Sequence, residues 1–230
     1  MSTLRQQIAT VLQVLRLPTA RLHFHTRIDP EQIARTYRYF TKPHPRYKLI
    51  RNKTLGAALL DLRQFDQSAS YLSHILARHG GAYHAKRARA RGYVFAEIER
   101  NDHVEAIHAI NTSVEMRQGR PMDQNYQEKC LHFDRLDNFR YYGILNPQGL
   151  LVAYANLGNY GNFAAFSQLI GLRNNDGIMH LLVIEIVSRL IEDGAVQFLM
   201  YDTFFGAQPG LQAFKRMLGF QPYRAHYSLQ

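Results

Sequence analysis

Gly210-Leu211-Gln212-Ala213-Phe214-Lys215-Arg216-Met217-Leu218-Gly219-Phe220 reads as a helix over residues 211–218, stopped by Gly219 before a strand over 220–228. Working back from it, the chain shows a strand over 196–201, a break at Gly194 and a long apolar helix over 178–192 entered through Asn174-Asn175-Asp176-Gly177. Three apolar runs at 139–145, 150–157 and 163–172 come before that. Asn146-Pro147-Gln148-Gly149 joins the first two and the Asn- and Gly-rich stretch 156–162 turns into the third, which predicts an antiparallel meander.

Further toward the amino terminus the spacing predicts a strand over 93–98, a helix capped by Asp102 and running to 112, and a short helix over 123–130. Between those helices lies Thr112-Ser113-Val114-Glu115-Met116-Arg117-Gln118-Gly119-Arg120-Pro121-Met122, a connection dense in hydrogen-bonding groups. The first 92 residues read as an amphipathic helix over 1–17, a strand over 21–28, a helix from Pro30 through 39, and a break at Lys42-Pro43-His44-Pro45. Residues 47–62 fit helix and strand equally, and a helix over 68–78 stops at Gly80-Gly81. Lys86, Arg87, Arg89 and Arg91 then form the densest basic cluster of the chain.

Of 230 residues 46% are apolar and 20% charged, the usage of a folded globular chain, and no apolar run is long enough to span a membrane. The expected address is cytoplasmic. The lone Cys130 forms no intrachain disulfide, and the 11 histidines show no HxxxH or HExxH spacing, so no metal is expected. Charge is unevenly placed: residues 1–100 hold 18 Lys and Arg against 6 Asp and Glu, and residues 101–230 hold 10 against 12. Such a field attracts polyanions such as RNA or an acidic carrier protein, and it also suits a plainly solvated face.

The order strand, two helices, three antiparallel strands, long helix, strand, helix, strand resembles the GNAT superfamily of N-acyltransferases, and the segment from Gly210 to Phe220 resembles its fourth helix and Gly-Phe turn. The Phe214-Lys215 pair is also similar to Fem-type aminoacyltransferases, which take their acyl group from aminoacyl-tRNA. The resemblance covers residues 93–230. It implies an α/β (α+β) fold with a mixed, mostly antiparallel central sheet flanked by helices, and leaves residues 1–92 as a basic, mostly helical amino-terminal region.

The resemblance further implies transfer of an acyl group to an amine by direct attack. The donor is acyl-CoA by default or an acyl carrier protein; the alternatives are aminoacyl-tRNA, or an RNA- or protein-binding module without catalysis. In the family the donor's pyrophosphate sits on backbone N–H groups at the start of the central helix, which assigns donor binding to Leu169, Gly171, Asn174, Asn175 and Gly177. Of the family's loop pattern only Gly177 fits; Met179 crowds a phosphate and Asp176 sets a negative charge beside it. Tyr201 is a candidate acid or a strand aromatic, and Asp202 a candidate base, an amine-orienting carboxylate or a turn residue. Lys215 stands where many relatives have a general-acid tyrosine, as a source of positive charge or an exposed helix lysine. Glu115, Arg117, Gln118 and Arg120 are candidates for the acceptor. Lys86, Arg87, Arg89 and Arg91 are candidates for contacts to a tRNA or another polyanion.

Overall fold

The computed structural model describes residues 16–45, 48, 50–117 and 120–230. Residues 1–15 of the helix anticipated over 1–17 lie outside them. In chain order the elements are β1 (Thr19–Phe24), α1 (Pro30–Thr41), β2 (Leu55–Asp61), α2 (Ser68–His79), α3 (Gly81–Ala90), β3 (Val94–Glu97) and α4 (Val104–Thr112). The short strands β4 (Met116–Arg117) and β5 (Arg120–Pro121) and the single turn α5 (Gln124–Gln127) follow. The remainder is β6 (Phe139–Leu145), β7 (Leu151–Asn159), β8 (Phe163–Gly171), α6 (Ile178–Asp193), β9 (Phe198–Thr203), α7 (Pro209–Met217) and β10 (Gln221–Leu229).

Local signals account for several of these bounds. Pro30 occupies the first turn of α1, where its missing N–H is no loss, and the Asp29 carboxylate accepts the Gln32 N–H at 3.0 Å. Gly80, at φ +67°, ends α2 and begins α3. Asp102 is not the cap of α4, a position His103 holds: it sits in a 3-10 turn, Arg100–His103, ahead of that helix. The helix expected over 123–130 is one turn only.

The strands form one sheet in the order β1-β10-β2-β9-β8-β7-β6-β3, antiparallel except where β1 meets β10 and β8 meets β9. Successive residues of a strand face opposite sides. Ala58 and Leu60 of β2, Leu199 of β9 and Ala153 and Ala155 of β7 pack with α2, α3, α6 and α7. Ala57, Leu59, Phe163, Phe198 and Met200 pack with α1, and Tyr141 and Tyr154 pack with α4. The result is a mixed, mostly antiparallel sheet with helices on both faces.

A boundary at residue 92 does not divide this sheet. β2 is hydrogen-bonded between β10 and β9, and β1 lies along β10 with Thr19 opposite Arg224. Residues 19–92 therefore supply two of the eight strands and share their cores with the rest of the chain.

At the start of α6, Gly177 takes φ +86°, and a methyl group there would overlap the carbonyl oxygen of His84 on α3. Gly80 also has positive φ, but a methyl there meets nothing within 4 Å. Gly177→Ala should destabilise the fold by about 1–3 kcal/mol and Gly80→Ala by about 1 kcal/mol or less, the excess at Gly177 being steric. Urea unfolding of both variants checks this; equal losses would mean that α3 moves away freely.

Candidate active site

Two parallel strands make the site by parting. β8 and β9 pair only over Phe163–Phe198, Ala164–Leu199 and Ala165–Met200, after which they part, β8 continuing along β7 to Gly171 and β9 along β2 to Thr203. The fork opens between the two faces of the sheet.

On the face of α3, α6 and α7 lies a cavity of about 750 Å³, lined among others by His84, Arg87, Arg173, Asn175, Gly177 and His180. Among the described residues no Asp or Glu lines it. It surrounds the start of α6, where the first backbone N–H groups have no partner within the helix and the helix dipole is positive, so the chemistry of its wall suits an anion. On the other face α1 and β8 border a second cavity of about 660 Å³, lined by Arg35, Lys53, Asp123, Tyr126, Gln168 and Asp202 among others. Tyr201 lines both cavities.

Beneath Tyr201 lies Lys215, 1% exposed. Its Nζ donates to the carbonyl oxygen of Thr203 at 2.8 Å and stands 4.6 Å from the centre of the Tyr201 ring. Burial pushes its pKa down to about 8, opposed by Asp202 and reinforced by Lys53. It lines neither cavity, so its charge acts from behind the tyrosine. Asp202 sits at the lip of the second cavity, paired with Lys53. Both partners have left-handed backbone, φ 54° and φ 56°, which is strained for non-glycine residues.

The residues proposed for the donor divide. Asn174, Asn175 and Gly177 line the first cavity; Leu169 lines the second instead, and Gly171 lines neither, being packed close to Met179 and Ala153. Asp176 carries no uncompensated charge toward the cavity, because Arg91 pairs with it and the Tyr93 hydroxyl donates to it at 2.7 Å.

The basic cluster is largely tied down within the molecule. Arg91 holds Asp176, Arg89 holds Glu185 of α6 at 2.6 Å, and Arg87 donates to the carbonyl of Asn175. These contacts fasten α3 across the start of α6 rather than presenting a row of free cations. Lys86 is exposed, and Arg87 also lines the first cavity. Among the acceptor candidates Glu115 is exposed and lines neither cavity. Gln118 and the side chains of Arg117 and Arg120 lie outside the described residues. Sequence reasoning missed His84, Arg173, Arg35 and Lys53, and His180 was visible only as one more helix histidine.

No protein-family model and no curated protein matches the chain. Solved structures share its fold. The C-terminal domain of an Agrobacterium fabrum protein named as a lysylphosphatidylglycerol synthetase is 17% identical, with a TM-score of 0.51, over 74% of this chain and 58% of that one. FemX is 9% identical, with a TM-score of 0.55, over 73% of this chain and 59% of that one. A tandem GNAT protein from the clavulanic acid biosynthesis pathway is 16% identical over 57% of this chain and 43% of that one, with a TM-score of 0.40. The chain thus spans less than two thirds of the length of each. At these identities the likeness to FemX and to the synthetase domain is one of fold alone.

Ionisation of Lys215 sets a pH signature. With a folded pKa near 8 against an ordinary 10.5, the folded chain holds fewer protons than the unfolded one between those values, so wild-type stability rises with pH across that window. Lys215→Met removes this term. Its stability relative to wild type should be most favourable below pH 8 and decline toward pH 10.5. Thermal melts of both proteins from pH 7 to about 10.5 check the sign; a constant difference would mean that the lysine is not desolvated.

Proposed function

We propose that this chain is an acyltransferase that takes its acyl group from a phosphate-bearing carrier in the first cavity and delivers it to an amine entered through the second. The observation that carries this reading is Tyr201, which lines both cavities at the open fork of β8 and β9 above the buried ammonium of Lys215. A donor and an acceptor approaching from opposite faces of the sheet would meet at that residue, the geometry a direct transfer needs.

In this reading the acceptor arrives as an ammonium ion, displaces Lys53 from Asp202 and is oriented by that carboxylate, which takes its proton directly or through water. The freed amine attacks the acyl carbon. The developing oxyanion lies in the positive field of Lys215, which is stronger for being out of water. On collapse the carbon–sulfur or carbon–oxygen bond to the carrier breaks, the leaving atom takes a proton from the Tyr201 hydroxyl, and the tyrosinate regains one from the new amide nitrogen, which sheds its second proton as the amide forms.

Acyl-CoA is the first donor to test, because the basic first cavity at the start of α6 suits a diphosphate. Aminoacyl-tRNA is the second reading, supported by the Phe214-Lys215 segment and by fold neighbours named FemX and lysylphosphatidylglycerol synthetase. An acyl carrier protein would present its phosphopantetheine by the same route.

Tyr201→Phe should retain the fold and lower single-turnover transfer roughly 10²-fold, the scale of a lost general acid. Rapid-quench assays with acetyl-CoA, longer acyl-CoAs and aminoacyl-tRNA against a panel of amines measure it. Unchanged turnover in Tyr201→Phe would remove the assigned role, and absence of product from every donor would favour a binding module.

A further inference from the structure

The first cavity holds a pair of histidines that the acyl-transfer chemistry leaves unused. His84 of α3 stacks on His180 of α6 with ring centres 4.4 Å apart and planes at 25°, and Phe214 of α7 closes on His180 edge-on at 4.7 Å. Both imidazoles line the cavity beside Arg87 and Arg173.

Two nitrogens of this cluster, Nε2 of His180 and Nε of Arg87, are buried without a hydrogen-bond partner. A buried polar group in that condition raises the free energy of the site until a partner is supplied. Cations approach the pair from three elements. α3 contributes Arg87, the loop before α6 contributes Arg173, and α7 contributes Lys215, whose ammonium is turned to Thr203 and Tyr201. The nearby carboxylates are engaged elsewhere, Asp176 by Arg91 and Tyr93 and Glu185 by Arg89. Burial, reinforced by His84 and Arg87, pushes the His180 pKa down to about 4, which keeps that ring neutral at ordinary pH.

We infer that His84, Arg87 and His180 form a side-chain cradle for a phosphate group of the donor, and that the imidazole pair takes up one proton from solvent as the phosphate binds. The inference rests on the reading of the first cavity as the donor site. An anion beside the stack reverses its electrostatics, because it offsets the arginines and favours an imidazolium. The stack holds one proton and not two, since a second would set like charges a few ångströms apart. His84 and Arg87 receive the phosphate from α3, and His180, pinned between His84 and Phe214, is a positioning residue that shares the proton. The shared chemistry is a phosphate ester, whether from a nucleotide carrier or from an RNA end.

Calorimetric titration of the full chain tests this with two probes, 3′-dephospho-CoA and an RNA hairpin ending in CCA. The phosphodiester and diphosphate groups of both keep their charge between about pH 6 and 8, where histidine titrates. Runs in two buffers of different ionisation enthalpy read the protons taken up, and whichever probe binds identifies the source of the phosphate. The expected result is affinity roughly tenfold higher at pH 6 than at pH 8 with net proton uptake, both lost in His84→Asn and in His180→Phe. His84→Asn alters a partly exposed helix position and keeps the test informative if the His180 variant fails to fold. Binding without proton uptake, or a pH dependence that survives both variants, would overturn the cradle. Acyl transfer without binding at this site would overturn it while leaving the transferase reading intact. Proton-coupled binding without transfer to any amine of the panel would do the reverse.

Discussion

Everything at the site depends on how briefly β8 and β9 hold each other. Three paired residues align them, and the remaining residues of both strands diverge. Parallel neighbours of this kind need a crossover, and here the crossover is α6, whose start lies beside the fork it spans. The gap between the facing edges of β8 and β9, the orphan N–H groups of a helix start beside it and a tyrosine reachable from both faces follow from that one divergence. Strain gathers there too. An ammonium is buried, and the residues of the Lys53–Asp202 pair both adopt left-handed backbone. Such departures persist only where the surrounding structure over-determines them, which is common at functional sites.

Much of the carboxyl-terminal half was legible because its patterns are local. The meander, α6 and the final strand, helix and strand are bounded by Gly, Asn and Pro residues that act on their immediate neighbours. β2 was not legible. Leu55–Asp61 is central and buried on both faces, so its sequence is a continuous apolar run with neither the period of a helix nor that of a half-exposed strand. Missing that strand is why residues 1–92 looked separable.

Site residues were legible only where a motif named them. Phe214-Lys215 drew attention to Lys215, yet nothing local distinguishes a buried lysine from a solvated one; the difference comes from Tyr201, Phe204 and Thr203 closing around it. The basic cluster shows the opposite failure. Its charges were countable, but the partners Asp176 and Glu185 lie far along the chain, and only the packing of α3 on α6 reveals that the arginines are engaged. The His84–His180 stack, made by the same packing, left no trace in spacing.

The place of the first two strands has a consequence for synthesis. β2 cannot be flanked on both sides until β9 and β10 exist, and among the described residues β1 is an edge strand that pairs with β10, with one further bridge from Phe24 to Gly161. A chain emerging from the ribosome must therefore carry Leu55-Gly56-Ala57-Ala58-Leu59-Leu60, an uncharged apolar strand, without its two neighbours until β9 and β10 have been made. Local helices such as α1 and α2 can form early, but the sheet closes only through contacts of high sequence separation between β1 and β2 and the strands β9 and β10, the kind of pairing that forms slowly.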